Sequence, residues 1–197
     1  MNYYNFFQQK TLNNIAKNNN NLIFLNSYGS LYSFNGLNMK LNWFINLSPS
    51  LNLNQSNLFY GSEVVSAGGK IIVSSNNKTY LIDEKTGSII KRFNFSTIIK
   101  PIIHGNTAFL VTKNSLLISI NLIKFIDSKT KTVDFKNMML LNNEIFLFLK
   151  NSFILQFKND GQLKDIKKLP TKINTLPIVI DSSILYLNFK NKLIIVD

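Results

Sequence analysis

"EIFLFLKNSFILQF", Glu144 to Phe157, sets two short apolar runs on either side of a Lys-Asn-Ser turn. The same layout returns in "TAFLVTKNSLLISI" from Thr107 and in "SILYLNFKNKLIIV" from Ser183, each with a Lys-Asn pair between two apolar runs. "KIIVSSNNKTYLID", Lys70 to Asp83, is a fourth version around Asn76-Asn77, residues that tolerate positive φ and suit a tight turn. Almost no segment of the chain spaces its apolar residues as a helix does. Runs of β-branched, aromatic and leucine residues instead alternate with Asn, Gly, Ser and Lys, which is an all-β signature. The hairpins are copies of one unit.

Register supports the repetition. Setting Pro101-Ile102-Ile103 over Met138-Met139-Leu140 and over Pro177-Ile178-Val179 also superposes Ala108, Ile145 and Ile184 without a gap, at steps of 37 and 39 residues. A proline lacks the amide proton and is tolerated at a strand's first residue, so its return at that place is physically sensible. Tyr80 matches Ile118 after 38 residues and Tyr32 matches Tyr80 after 48, the longer step being absorbed by "SPSLNLNQSNLF", Ser48 to Phe59.

A period of about 40 residues holding four short strands predicts propeller blades, because helical solenoids of similar period carry 3.6-residue patterning. A single four-stranded sheet cannot bury both of its faces, so each blade must stack on its neighbours. The chain is therefore expected to be all-β, a partial β-propeller of about four to five four-stranded antiparallel blades, with residues 1–197 forming one domain.

"LYSFNGLNMKLNW", Leu31 to Trp43, superposes on "TYLIDEKTGSIIK", Thr79 to Lys91, so that Asn35 stands at the place of Asp83 and Met39 at the place of Gly87. The Asp83-Glu84-Lys85-Thr86-Gly87 turn after "TYLI" resembles the blade signature of the pyrroloquinoline-quinone (PQQ)-like propeller repeats, with Lys40 and Trp43 in that signature's Lys and Trp slots. Within that family the wording is most similar to the propeller lipoproteins of the bacterial outer-membrane β-barrel assembly machinery. The resemblance implies that Trp43 packs between adjacent blades and that Asp83 and its turn tie a blade's third and fourth strands together. It also implies an eight-bladed ring, for which this chain is too short, so the chain is expected to be the C-terminal part of a longer propeller.

Some units depart from the signature. Lys91 replaces the Trp in its repeat, "INLIKFIDSKTKTVDFK" from Ile120 to Lys136 lacks the glycine turn, and Asn159-Asp160-Gly161 is a shortened turn. The last unit stops at Asp197, where its outer strand would begin. Such an arc would leave two terminal blade faces uncovered, each apolar and open to association.

The absence of cysteine rules out disulfides, thiolate metal sites and cysteine nucleophiles. "MNYYNFFQQK" has neither the basic segment nor the apolar run of a secretory signal, and no stretch reaches the length of a membrane-spanning helix. The net charge of +12 invites a nucleic-acid reading, but Arg92 is the single arginine and the lysines are scattered, so the bidentate fork suited to phosphate and guanine is nearly missing. Enrichment in Lys, Asn, Ile, Phe and Leu together is what an AT-rich genome imposes. No nucleic-acid partner is expected.

Reactive groups are sparse. His104 is the sole histidine, in "PIIHGN", and reads as a turn residue. Asp83 and Glu84 point to opposite faces if both end a strand, which makes them a poor acid–base pair and leaves Asp83 as a turn-capping acceptor. Glu63, Asp127, Asp134, Glu144 and Asp181 have no motif linking them. Gly68-Gly69 lacks the Lys-Ser/Thr and the helix of a phosphate loop and reads as a hairpin turn. "LKDIKKLP", Leu163 to Pro170, reads as a solvated outer edge strand, and Phe146, Phe148, Phe153 and Phe157 as blade core.

No catalytic, cofactor-binding or metal-binding residue is assigned on these grounds, and no cofactor is expected. The resemblance implies a non-enzymatic scaffold for protein partners, an accessory of outer-membrane protein assembly in the periplasm and associated with the outer membrane. Self-association through the uncovered blade faces is a further expectation. The competing class is a PQQ-dependent quinoprotein dehydrogenase, which is expected to show a vicinal cysteine pair, a tryptophan floor for the quinone and a set of acidic and amide calcium ligands. The "SPSLNLNQSNLF" insertion is the first candidate for a partner contact, since loops on a scaffold carry the variable function.

Overall fold

The computed structural model describes residues 14–48, 63–75, 77–97, 99–123, 127–131, 134–181 and 183–196. They form five successive antiparallel sheets, each a meander in which consecutive strands pair. Blade 1 comprises β1 (Ile15–Asn18), β2 (Asn21–Leu25), β3 (Ser30–Asn35) and β4 (Leu41–Asn46). Blade 2 comprises β5 (Val65–Ala67), β6 (Lys70–Ser74), β7 (Thr79–Asp83) and β8 (Ile89–Phe93). Blade 3 holds β9 (Ile102–His104), β10 (Thr107–Val111), β11 (Leu116–Asn121) and β12 (Asp127–Lys131). Blade 4 holds β13 (Phe135–Leu141), β14 (Glu144–Leu149), β15 (Phe153–Phe157) and β16 (Leu163–Lys168). Blade 5 has three described strands, β17 (Ile178–Ile180), β18 (Ser183–Leu187) and β19 (Leu193–Val196). The architecture is the expected partial propeller, and no helix occurs among the described residues.

The repeat register is reproduced pair by pair. Ile103 faces Ala108, Leu140 faces Ile145 and Val179 faces Ile184, while Tyr32, Tyr80 and Ile118 face Phe24, Val73 and Leu110. Each first hairpin turns through two residues, and the left-handed conformation this demands falls on Asn19, on Gly68 and Gly69, on Gly105, on Asn142 and Asn143, and on Asp181. Gly and Asn are the residues that enter that region at least cost. Gly68-Gly69 is thus the hairpin turn that the sequence reading made it.

The second hairpin closes with a left-handed residue at Gly29, Ser115, Ser152 and Asn191 in blades 1, 3, 4 and 5. Its N–H donates to the carbonyl three residues earlier, on Asn26, Thr112, Leu149 and Asn188. In blades 3 and 4 it is the serine after the Lys-Asn pair that turns. In blade 2 the loop is shorter, and the Ser75 N–H donates to the Lys78 carbonyl at 2.7 Å. Of the Asn76-Asn77 pair expected to carry that turn, Asn76 lies outside the described residues.

Each blade is sandwiched because successive residues of a strand point to opposite faces. In blade 2, Ile71, Val73, Tyr80 and Ile82 face blade 1, in a cluster with Ile23, Leu25 and Leu31. The intervening Ile72 and Leu81 face blade 3, in a cluster with Ala108, Leu110, Ile118 and Ile120. Phe109, Val111 and Leu117 continue onto blade 4 with Ile145, Leu147 and Phe157. Phe148 and Ile154 meet Tyr186 of blade 5, with Ile184, Ile194 and Val196 packed against them. Burial on both faces explains why the middle strands read as unbroken apolar runs instead of alternating ones. Fully burying one such side chain contributes about 1.5–3 kcal/mol, so these four interblade layers hold the arc together.

The outer strands obey a different rule. Every residue of β16 is exposed, which matches the solvated edge read from "LKDIKKLP". A register shift falls at Ser33/Phe34, Leu81/Ile82 and Gln156/Phe157, the same repeat position in blades 1, 2 and 4. Such a bulge adds twist where a blade meets its outer strand. Blade 3, which lacks the glycine turn, pairs β11 with β12 without the shift.

Candidate functional site

Among the described residues, the ionisable side chains do not converge on one site. His104 ends β9 at a hairpin turn, and no group of three His, Cys, Asp or Glu residues among those described could hold a metal ion. Four carboxylates each pair with one lysine: Asp83 with Lys70 at 3.4 Å, Glu63 with Lys100 at 3.4 Å, Asp134 with Lys150 at 3.8 Å, and Glu144 with Lys164. Glu144 also accepts the Gln156 amide. The Lys164 ammonium, followed by that amide, holds the Glu144 carboxyl below its ordinary value. The side chain of Asp127 lies outside the described residues. Phe148 and Phe157 are fully buried and Phe146 and Phe153 pack against the same layers, so all four are core.

The most developed polar junction lies where blade 2 meets blade 1. Asp83 ends β7 and its Oδ1 accepts the N–H groups of Lys85 and Thr86 and the Thr86 hydroxyl, at 3.1, 3.0 and 3.0 Å. Its N–H donates to the Ser88 carbonyl, and its carbonyl accepts the Gly87 N–H. Blade 1 makes the same turn: the Asn35 N–H donates to Lys40, its carbonyl accepts the Met39 N–H, and its Oδ1 accepts the Leu37 N–H. The expected equivalence of Asn35 with Asp83 and of Met39 with Gly87 is therefore a shared hydrogen-bonding frame tying the third strand to the fourth.

Trp43 spans the boundary between those two turns. Its Nε1 donates to the Glu84 carbonyl of the next blade at 2.9 Å, and its ring lies over Gly87, where a Cβ would stand 2.7 Å from Cδ2 and Cε3. The single tryptophan thus packs between adjacent blades. Glu84 is the residue that sequence reasoning missed. Its position in the turn is taken in blade 3 by Leu122, a buried apolar side chain. In blade 2 the buried carboxylate is satisfied instead by blade 1, accepting Asn18 Nδ2 at 2.5 Å and Asn21 Nδ2 at 3.0 Å. A cavity of about 480 Å³ opens beside it, lined by Asn18, Asn19, Asn21, Asn42, Gly69 and Lys85. The asparagine richness of the first hairpin was the only available signal, and it reads equally as turn chemistry.

The two ends of the arc present apolar surface. The side of blade 1 turned away from blade 2 carries Phe24, Tyr32, Phe34 and Phe44, whose rings stack around Tyr32 at centroid distances of 6.3, 6.1 and 5.9 Å. Phe44 remains 60% exposed. The side of blade 5 turned away from blade 4 carries Ile178, Ile180, Leu193 and Ile195, all more than half exposed. Among the described residues, the two end faces expected from the repeat pattern are apolar and exposed. The "SPSLNLNQSNLF" insertion lies, apart from Ser48, outside the described residues.

This arrangement is found among solved structures. BamB from Moraxella catarrhalis superposes with a TM-score of 0.67 at 10% identity, over 92% of this chain and 56% of that one. The N-terminal domain of Nup159 gives 0.61 at 12% identity, over 90% and 58%. BBS1N, solved in complex with ARL6DN, gives 0.60 at 9% identity, over 89% and 60%. The chain thus spans little more than half the length of these proteins. At such identities the likeness establishes the propeller fold. No family model matches the sequence, and no curated protein matches it either.

Proposed function

We propose that this chain is a non-enzymatic propeller scaffold for protein–protein association, and that it serves outer-membrane β-barrel assembly from the periplasmic side of that membrane. The observation that carries the reading is a separation of roles within the molecule. Most described carboxylates are engaged by turns, lysines or an interblade contact, whereas blades 1 and 5 carry large apolar side chains that are exposed among the described residues. Neighbours in fold support association as the activity, since BBS1N was solved in complex with ARL6DN and Nup159 in a complex with Dbp5 and Gle1. The Asp83–Gly87 turn with Trp43 behind it resembles the PQQ-like repeat signature in general, and the narrower assignment to the assembly lipoproteins rests on the Asn-rich and Lys-rich wording of the repeats.

The test is a tagged chain exported to the periplasm of a Gram-negative cell, cross-linked and purified. Proteins of the β-barrel assembly machinery should be recovered well above a control with an unrelated propeller. Recovery at the control level overturns the assembly role, and saturable dye reduction after addition of pyrroloquinoline quinone and Ca²⁺ overturns the non-enzymatic one.

A further inference from the structure

The lysines are dispersed along the chain, yet the fold gathers many of them. In a four-stranded meander the first and third turns lie at one end of the sheet, and the second turn and the connection to the next sheet lie at the other. That second end is common to the blades, because the connections bond to the second hairpins of the blades they join. Between blades 1 and 2 the Leu47 N–H donates to the Gly29 carbonyl and the Leu47 carbonyl accepts the Tyr80 hydroxyl, at 2.8 and 3.2 Å. Between blades 2 and 3 the Thr97 hydroxyl donates to Ser74 Oγ and the Ser96 carbonyl accepts the Lys113 N–H, at 3.0 and 3.1 Å. The Asp134 carbonyl accepts the Lys150 N–H between blades 3 and 4, and the Leu169 and Asn174 N–H groups donate to the Ser152 and Leu187 carbonyls between blades 4 and 5.

This end carries a lysine in the second hairpin of every blade from 2 to 5, at Lys78, Lys113, Lys150 and Lys190, and Lys172 in the last connection adds to them. The described acids there, Glu63 and Asp134, are each paired with a lysine. The opposite end mixes Lys40, Lys85 and Lys158 with Asp83, Asp160 and Asp181. Large apolar side chains stand among the gathered lysines: Phe189 is 65% exposed, Leu176 60% and Tyr28 55%. For the two aromatic residues this exposure belongs to the turn and is not a product of where the arc stops. Counted from the left-handed residue of the turn, Phe189 holds the position of Lys113 and Lys150, and Tyr28 that of Asn114 and Asn151. All four of those residues are exposed in blades that have a neighbour on each side.

We infer that this end of the arc docks on an anionic lipid bilayer. Its lysines are spread from blade to blade over a broad end, which matches the diffuse negative charge of a lipid surface. The turns and connections there hold no arginine to grip a single phosphate bidentately, the one arginine, Arg92, lying within β8. Aromatic and aliphatic side chains among the cations suit the headgroup level, where amphipathic surfaces settle. Tyr28 and Phe189 belong to blades 1 and 5, so they act as separate anchors and not as a stacking platform for successive bases. The inference goes beyond the proposed scaffold role and does not rest on it, because its partner is lipid without protein.

Vesicles of phosphatidylcholine, with and without phosphatidylglycerol, test it by co-sedimentation with the full chain, and circular dichroism melts confirm that the variants fold. The unsubstituted chain should bind the vesicles that contain phosphatidylglycerol, leave the others unbound, and be released as salt screens the charges. Each lysine close to an anionic leaflet contributes about fivefold in affinity, so Lys113→Glu, Lys172→Glu and Lys190→Glu together should weaken binding by at least about a hundredfold. Lys40→Glu, Lys85→Glu and Lys158→Glu change the net charge equally at the opposite end, and should weaken it by less than about tenfold. Phe189→Ala combined with Tyr28→Ala should lower the binding that survives at high salt. Failure to bind phosphatidylglycerol vesicles, equal binding to both compositions, or equal losses in the two triple variants overturns the proposal. Duplex DNA that strips the chain from the vesicles at physiological salt assigns this end to nucleic acid and overturns it as well.

Discussion

At the scale of single residues, Gly87 and Trp43 form the tightest constraint in the arc. Met39 occupies the same turn position in blade 1 with φ of 56°, so the left-handed conformation alone does not demand glycine there. Gly87, with φ of 73°, is held to glycine by the indole that covers it. Gly87→Ala adds the backbone penalty of a left-handed alanine to a steric clash, and should destabilise by about 2–4 kcal/mol in urea denaturation. About half of that loss should vanish when Trp43 is first cut to Ala, since the clash then has no partner. Equal losses in both backgrounds would mean that the ring does not set the constraint. Trp43 itself was legible as an interblade residue from its slot in the repeat, whereas the glycine it rests on belongs to the following blade.

At the scale of the element, the turn from β7 to β8 is organised by one carboxylate. The Thr86 N–H holds the Asp83 carboxyl below its ordinary value of 3.8; partial burial opposes it, and the Thr86 hydroxyl and Lys70 reinforce it. A carboxyl with a lower folded than unfolded value contributes stability that is fully present above the unfolded value and drains away as pH falls through the folded one. Stability should therefore decline as pH drops below about 3.8, in part through Asp83. Asp83→Asn keeps the acceptor oxygen, as Asn35 does in blade 1, and removes the titration. It should cost about 1 kcal/mol at neutral pH and flatten the acid limb of the stability curve. Parallel curves for the two proteins would show that the turn does not carry the effect.

At the scale of the whole molecule, the blades form a one-dimensional stack in which the packed layers join neighbours in sequence. Stability in such arrays is close to a sum of local terms, so damage stays near its origin. Phe148→Ala empties a fully buried site between blades 4 and 5 and should cost about 3–4 kcal/mol. Hydrogen exchange should then quicken at the amides of β18 and β19 while those of β6, β7 and β10 keep their protection. Uniform quickening along the chain would mean that the arc unfolds as a single cooperative body.

The sequence by itself determined the strands, the two-residue Gly and Asn turns, the position of each copy against the next, the Asp83 frame and the exposed outer strand. These depend on side-chain alternation and on turn chemistry, both written within a few consecutive residues. Only the tertiary structure decided which face of each hairpin meets which neighbour, that Glu84 is buried beneath blade 1, and that a polar cavity opens beside it. Glu84 finds its donors 66 and 63 residues away on Asn18 and Asn21, and no local pattern encodes a contact made only when one blade lies against another.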